Sequence, residues 1–260
     1  MLSKRSALLA GGVACLALIA YGSGGGAIAS SDTATMATAE RDGLPRHGSG
    51  HIDPADFRRG GRVTNRWFPL KPGSVYRYRG SKDGKPAVEV LRVTRRTKRI
   101  QGVTNSVISD KLYLKGRLAE RTLDWYTQDR RGNVWYFGEN TATIAPGGRV
   151  ISREGSFQAG RDGARPGIFM PAHPRVGQRF QQEFYKGHAE DRFRIVDLSA
   201  GVSVPFVTTR KAMRTVEWTP LEPGILDAKL YVRGIGTVAE RQLRGEGPPE
   251  RLELVSFRRG

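Results

Sequence analysis

Asp124, Trp125, Tyr126, Asp129, Asn133, Trp135, Tyr136 and Glu139 fall within sixteen consecutive positions, the densest gathering of chemistry-bearing side chains in the sequence. Paired carboxyls flanked by aromatic rings are what a sugar site requires, the acids for proton transfer and the rings for stacking on sugar faces. On that reading Asp124, Asp129 and Glu139 are candidate catalytic groups of a glycan or ester hydrolase. Trp125, Tyr126, Trp135, Tyr136 and the distant Trp218 are candidate ligand-binding rings. The period of a β-strand divides this set, because Asp124 and Tyr126 share one face while Trp125 takes the other. The rings therefore cannot all line one groove. The competing assignment puts Trp125, Trp135 and Trp218 in the core, Asp129 in a turn and Asp124 beside an arginine.

Arg92, Arg95, Arg96, Lys98 and Arg99 form the strongest basic cluster, read as a strand end and the turn after it. Guanidinium groups so concentrated can hold phosphates through bidentate, charge-assisted bonds. They can equally form a solvated tip that discourages edge-to-edge pairing. His188, Glu190 and Asp191 offer little to a metal, since adjacent strand residues point to opposite faces. His47 and His51 stand among Gly and Pro in a polar stretch. No nucleophile elbow, phosphate-binding loop, dinucleotide fingerprint or Cys/His cluster occurs, so neither cofactor, metal nor nucleotide is expected.

The elements that must position these groups are strands. After residue 65, short runs rich in Val, Ile, Tyr, Phe and Thr alternate with Gly, Pro and Asp clusters about every ten residues, the pattern of an all-β chain with little helix. Strands are expected over 74–79, 87–94, 105–114, 118–127, 133–137 and 149–153, then over 178–185, 192–198, 206–210, 214–219, 226–232, 237–243 and 251–258. Lys82-Asp83-Gly84-Lys85 and Lys115-Gly116-Arg117 read as hairpin turns. The stretch 154–167 reads as too glycine-rich for a strand.

A repeat organises these strands. Gly73 and Gly177 follow similar Pro-containing segments 104 residues apart, and Gly132 and Gly236 are also 104 apart. Equal offsets point to two tandem antiparallel meanders, packed as a sandwich or an open half-barrel, with a ligand cleft expected between them.

Asn65-Arg66-Trp67-Phe68-Pro69-Leu70-Lys71-Pro72-Gly73, the Asp124–Asp129 and Gly132–Glu139 segments, and Glu217-Trp218-Thr219 with Glu222-Pro223-Gly224 resemble a group of exported proteins of high-GC bacteria with no established activity. The resemblance runs from about residue 50 to the C-terminus and implies no catalytic residue. The Pro-Leu-Lys-Pro-Gly strand start is also similar to periplasmic open half-barrels that carry lipid.

Lys4 and Arg5, the apolar stretch Ala7–Tyr21 and the small residues Ala27-Ile28-Ala29 have the order of a secretory signal cut before Ser30. A membrane anchor is the alternative, as is lipidation at Cys15, the single cysteine. The expected division is signal peptide 1–29, flexible linker 30–60, first β unit 61–153, glycine-rich connection 154–169 and second β unit 170–260. The net charge is +18, and without Lys4 and Arg5 it is +16. Such an excess favours anionic partners. The sequence thus describes a monomer, secreted or held at the envelope, that binds an anionic envelope polymer or lipid. Nucleic acid is disfavoured as a partner, and a glycan or ester hydrolase and a structural wall protein remain as alternatives.

Overall fold

The computed structural model describes residues 52–260. The signal segment, its cleavage site, Cys15, His47 and His51 lie outside the described residues. Fifteen strands follow in order: β1 (Val75–Lys82), β2 (Lys85–Ile100), β3 (Val103–Leu114), β4 (Arg117–Gln128), β5 (Val134–Ile144), β6 (Val150–Ser152), β7 (Phe157–Gln158), β8 (Arg165–Met170), β9 (Arg179–Gln181), β10 (Glu183–Phe184), β11 (Arg192–Val204), β12 (Val207–Trp218), β13 (Leu226–Val232), β14 (Gly236–Arg244) and β15 (Arg251–Arg258). Two 3₁₀ turns, Pro54–Asp56 and Arg59–Gly61, precede them. All strand pairs are antiparallel, and thirteen of the strands form one path, β10-β8-β5-β4-β3-β2-β1-β15-β14-β13-β12-β11-β9, with β6 and β7 added on β5.

Local chemistry explains the meander. Ala87, Glu89, Leu91 and Val93 alternate inward along β2 while Val88, Val90 and Arg92 turn outward, the two-residue period of a strand with one buried face. Asp83-Gly84, Gln101-Gly102 and Lys115-Gly116 each place two successive residues at positive φ. Those are two-residue hairpin loops whose twist matches the flanking strands.

The two halves of the chain repeat one device. Gly73 N–H donates to the Val93 carbonyl while Val93 N–H donates to Ser74. Gly177 N–H donates to Ile195 while Ile195 N–H donates to Gln178. Gly132 and Gly236, both at positive φ, stand at the β4–β5 and β13–β14 turns.

The two halves form one continuous sheet. β1 pairs directly with β15, so both belong to one open sheet bent around one core, in which Tyr76, Tyr126, Phe169, Phe193, Tyr231 and Leu254 are buried together. The outer ends of the sheet meet at adjacent residues: β9 continues β11, β10 continues β8, and only Gln182 separates them. Gly167 makes this approach feasible, since a Cβ there would overlap the carbonyl oxygens of Gln181 and Gln182. This overturns the reading of 154–167 as free of strands, because β7 and the first half of β8 lie in it. Here glycine permits close strand approach instead of breaking the strand. Residues 206–210 and 214–219 likewise belong largely to the single strand β12, with an irregular register against β11.

The segment before β1 seals one side of the core. Gln128 Oε1 accepts the backbone N–H groups of Thr64 (2.6 Å) and Asn65 (2.8 Å). Asn65 in turn donates to the Gly132 and Pro171 carbonyls and accepts the Trp67 N–H. Trp67 and Phe68 are thereby held in the core. Packing begins before residue 61: Phe57, placed in the linker by the sequence reading, is buried against Trp135 and Phe137 at 5.8 and 5.5 Å between ring centres.

The β1–β15 seam joins the halves, and at Gly80 it leaves no room for a side chain, because a Cβ would overlap the Arg251 carbonyl oxygen. Gly80→Ala should therefore cost about 3 kcal/mol, measured as a lowered urea midpoint at unchanged slope. An unchanged midpoint would show that the seam can widen.

Candidate functional site

The structure sends the sequence-predicted residues to two faces of the same hairpin. Asp124, Tyr126, Tyr136 and Glu139 point into the core, whereas Trp125 and Trp135 belong to a second apolar cluster with Phe57 and Phe137. Asp124 and Glu139 are cross-strand partners on β4 and β5. The Tyr136 hydroxyl lies 3.0 Å from an oxygen of each. The arginine expected beside Asp124 is replaced by this tyrosine. Burial, then the charge of Asp110, raises Asp124 well above the usual carboxylate range, against the Tyr136 hydrogen bond. Burial, then Asp124 and Glu183, does the same to Glu139. In both, burial favours the protonated form. Their exposures of 1% and 3% leave no approach for a sugar.

The inward-facing carboxyls continue around the core. Burial pushes Asp110 up to about 6 and, joined by the charge of Asp110, raises Glu89 well above its ordinary value. Burial takes Glu183 to about 8 against the pull of Lys229. At the far rim, Lys229 Nζ lies 2.8 Å from Glu217 and 3.9 Å from Glu240. Burial opposes the ammonium, but the Glu217 and Glu240 charges outweigh it and hold its pKa well above the usual lysine value. Glu217 also accepts from Gln182, Thr215 and Tyr231. Half-buried Trp218 lines a cavity of about 50 Å³ beside this pair, with Asp191, Glu222 and Asp227. Among the described residues no cluster has the arrangement of a metal site.

Asp129 has a structural post. It accepts the Asn133 backbone N–H at 2.8 Å, the Asn133 amide at 2.8 Å and the Trp135 indole N–H at 3.0 Å. This network shapes the β4–β5 turn and fixes the half-buried Trp135 in the wall of a groove of about 1070 Å³. Phe57, Ile168 and Phe180 line the same groove. Arg130, Arg131, Arg165 and Arg175 also line it, together with His173. Arg165 lies over the Phe184 ring, 4.3 Å from its centre. The exposed Asp53 and Asp56 occupy the groove too, so its charge is mixed with a cationic excess.

The basic cluster lies within β2, and not in a turn, because β2 runs on to Ile100 past a register shift between Val93 and Thr97. Arg92, Arg95, Arg96 and Arg99 are exposed. Lys98 instead lies over the buried Trp125, 3.3 Å from the ring centre, and burial followed by the charge of Arg161 lowers its pKa. The β2–β3 turn leads from this ridge to the groove, which Gln101 lines. Sequence reading found the ridge and Trp135 but missed Phe57, Phe180, Arg130, Arg131, Arg165 and Arg175 as groove residues. These come from separate segments, and only the β4–β5 turn, with its adjacent Arg130-Arg131, gave a local signal.

No protein-family profile matches the chain, and no curated protein matches it. Two solved structures are similar to it. One is a protein from Bacteroides fragilis described as exported and of YmcC-like fold, 14% identical, matched over 75% of this chain and 100% of its own, with a TM-score of 0.45. The other is a protein from Parabacteroides distasonis described as a lipoprotein, 10% identical, matched over 75% of this chain and 99% of its own, with a TM-score of 0.40.

Proposed function

We propose that the protein acts outside the cytoplasm as a binding protein for an anionic, lipid-like component of the cell envelope, held in the groove of Trp135, Phe57 and Phe180. The observation that carries this reading is the union, in one opening of about 1070 Å³, of apolar rings with four arginines. An amphiphile satisfies both, its apolar part displacing water from the rings and its anionic group meeting guanidinium donors. The exposed arginines of β2, near the Gln101 end of the groove, add an attractive field for anionic surfaces. The signal-like N-terminus supports export. A hydrolase is the weaker reading, because Asp124 and Glu139 are buried away from any substrate and Asp129 is engaged in its turn.

Trp135 provides the test. Titration with a short-chain phosphatidylglycerol below its micelle concentration should change indole fluorescence, with binding that weakens as salt rises. Arg130→Gln, Arg131→Gln and Arg175→Gln together should weaken binding about tenfold, the loss of one or two charge-assisted contacts. Equal affinity for the zwitterionic phosphatidylcholine of the same chain length would overturn the reading.

The chain is further read as two copies of one ancestral meander. The matched hydrogen bonds at Gly73 and Gly177, and the matched turns at Gly132 and Gly236, support it.

A further inference from the structure

The antiparallel meander sends alternate hairpin turns to opposite ends of the sheet. The β2–β3 and β4–β5 turns border the groove above, whereas the β1–β2 and β3–β4 turns and the β5–β6 loop lie at the other end. There a second groove, of about 910 Å³, opens between the β3–β4 hairpin and the loop carrying Pro146, Gly147 and Gly148. Its floor is aliphatic, with Leu114, Leu118 and Ile144 half-buried, so apolar surface is left facing solvent. Lys85, Lys115, Arg117 and Arg121 stand around that floor, and all four are exposed. No carboxylate is among the lining residues. Among the described residues, Lys85 meets Asp83 at 4.0 Å, and Lys115, Arg117 and Arg121 enter no ion pair.

We propose that this hairpin groove is a separate binding site for a single anionic amphiphile with an aliphatic chain. Aliphatic floor and cationic rim are complementary to the two parts of such a molecule, and neither part alone satisfies the site. A free phosphate would leave Leu114, Leu118 and Ile144 wet. A neutral lipid would leave Lys115, Arg117 and Arg121 without a counter-charge as their water is displaced. The β3–β4 turn places the cations here by its own geometry: positive φ at Lys115 and Gly116 makes a two-residue loop, which brings Lys115 and Arg117 to the tip beside the β5–β6 loop. Gly147 and Gly148, also at positive φ, have nothing within 4 Å of a notional Cβ, leaving space for a bound chain.

The test is a stoichiometry. Short-chain phosphatidylglycerol below its micelle concentration, followed by equilibrium dialysis, should bind at two molecules per full chain, and at one per chain in the variant Lys115→Gln, Arg117→Gln, Arg121→Gln. The site remaining in that variant should be the one reported by Trp135 fluorescence. In the Arg130→Gln, Arg131→Gln, Arg175→Gln variant, the hairpin groove should still bind with affinity changed less than twofold. Adding the three hairpin substitutions should then weaken this residual binding at least tenfold. If wild type binds one molecule and the hairpin substitutions abolish it, this site stands and the Trp135 groove loses its role. Binding of inorganic phosphate with equal affinity, binding of phosphatidylcholine with equal affinity, or an unchanged stoichiometry in the hairpin variant would each overturn the proposal. All these surface variants should keep the wild-type urea midpoint, which separates loss of a site from loss of the fold.

Discussion

Replacing Lys229 with methionine should destabilise the fold by about 3–5 kcal/mol, the cost of stranding a buried charge. Lys229 and Glu217 are 5% and 6% exposed, and their 2.8 Å contact holds together β13 and β12 at the point where Gln182, between β9 and β10, also bonds Glu217. With the ammonium gone, Glu217 keeps three neutral donors and loses its counter-charge. Glu217→Met leaves the lysine with Glu240 at 3.9 Å as its remaining close ion pair among the described residues. The double replacement removes both charges and should recover much of the loss, since well-packed apolar pairs often equal buried ion pairs in stability. A double-mutant cycle by urea unfolding measures the coupling, expected at about 1–3 kcal/mol. Single substitutions costing under about 1 kcal/mol would mean that water reaches the pair through the adjoining 50 Å³ cavity.

Stability should also fall as pH rises from about 4 to about 8, the reverse of ordinary acid denaturation. Exposed carboxyls titrate near pH 4. Burial raises the folded values of Asp110, Asp227 and Glu183 to about 6, 7 and 8, opposed by a Glu89 hydrogen bond at the first and by the Lys229 charge at the other two. Below about pH 4 the folded and unfolded chains both hold these protons, and the stabilisation is fully present. Above it the unfolded chain releases them first, so each step toward pH 8 favours unfolding until the folded groups ionise. The combined loss is on the order of several kcal/mol. Repulsion among the many arginines acts oppositely at the acid end, but those on the surface are screened by salt. Urea midpoints at pH 4.5, 6 and 8 in moderate salt should therefore decrease in that order. A midpoint that rises with pH would show the interior acids ionised in the folded state.

Much of this fold was written locally. A two-residue alternation of apolar positions, interrupted by Asp-Gly and Lys-Gly, marks strand and turn without reference to anything distant, and the expected boundaries at β3, β4, β13 and β15 lie within a few residues of those found. Asp129 followed by Asn133 specified its own turn, because side chain and backbone partners lie four residues apart. The same alternation separated Trp125 from Tyr126 correctly. Glycine misled where its reason for being present was distant. Nothing near Gly167 in sequence announces that Gln181 and Gln182 will press against it.

Sequence alone therefore determined the strands, most turns and the sorting of neighbouring side chains onto opposite faces, because backbone geometry imposes those within a few residues. Only the tertiary structure decided which face became the interior, and so buried the carboxyls of Asp124 and Glu139. It also assembled the groove, bringing Phe57, Trp135 and Phe180 from three separate segments to one surface. Burial and concavity arise from the closing of long-range strand pairs around a shared core, and no short stretch of chain carries that information.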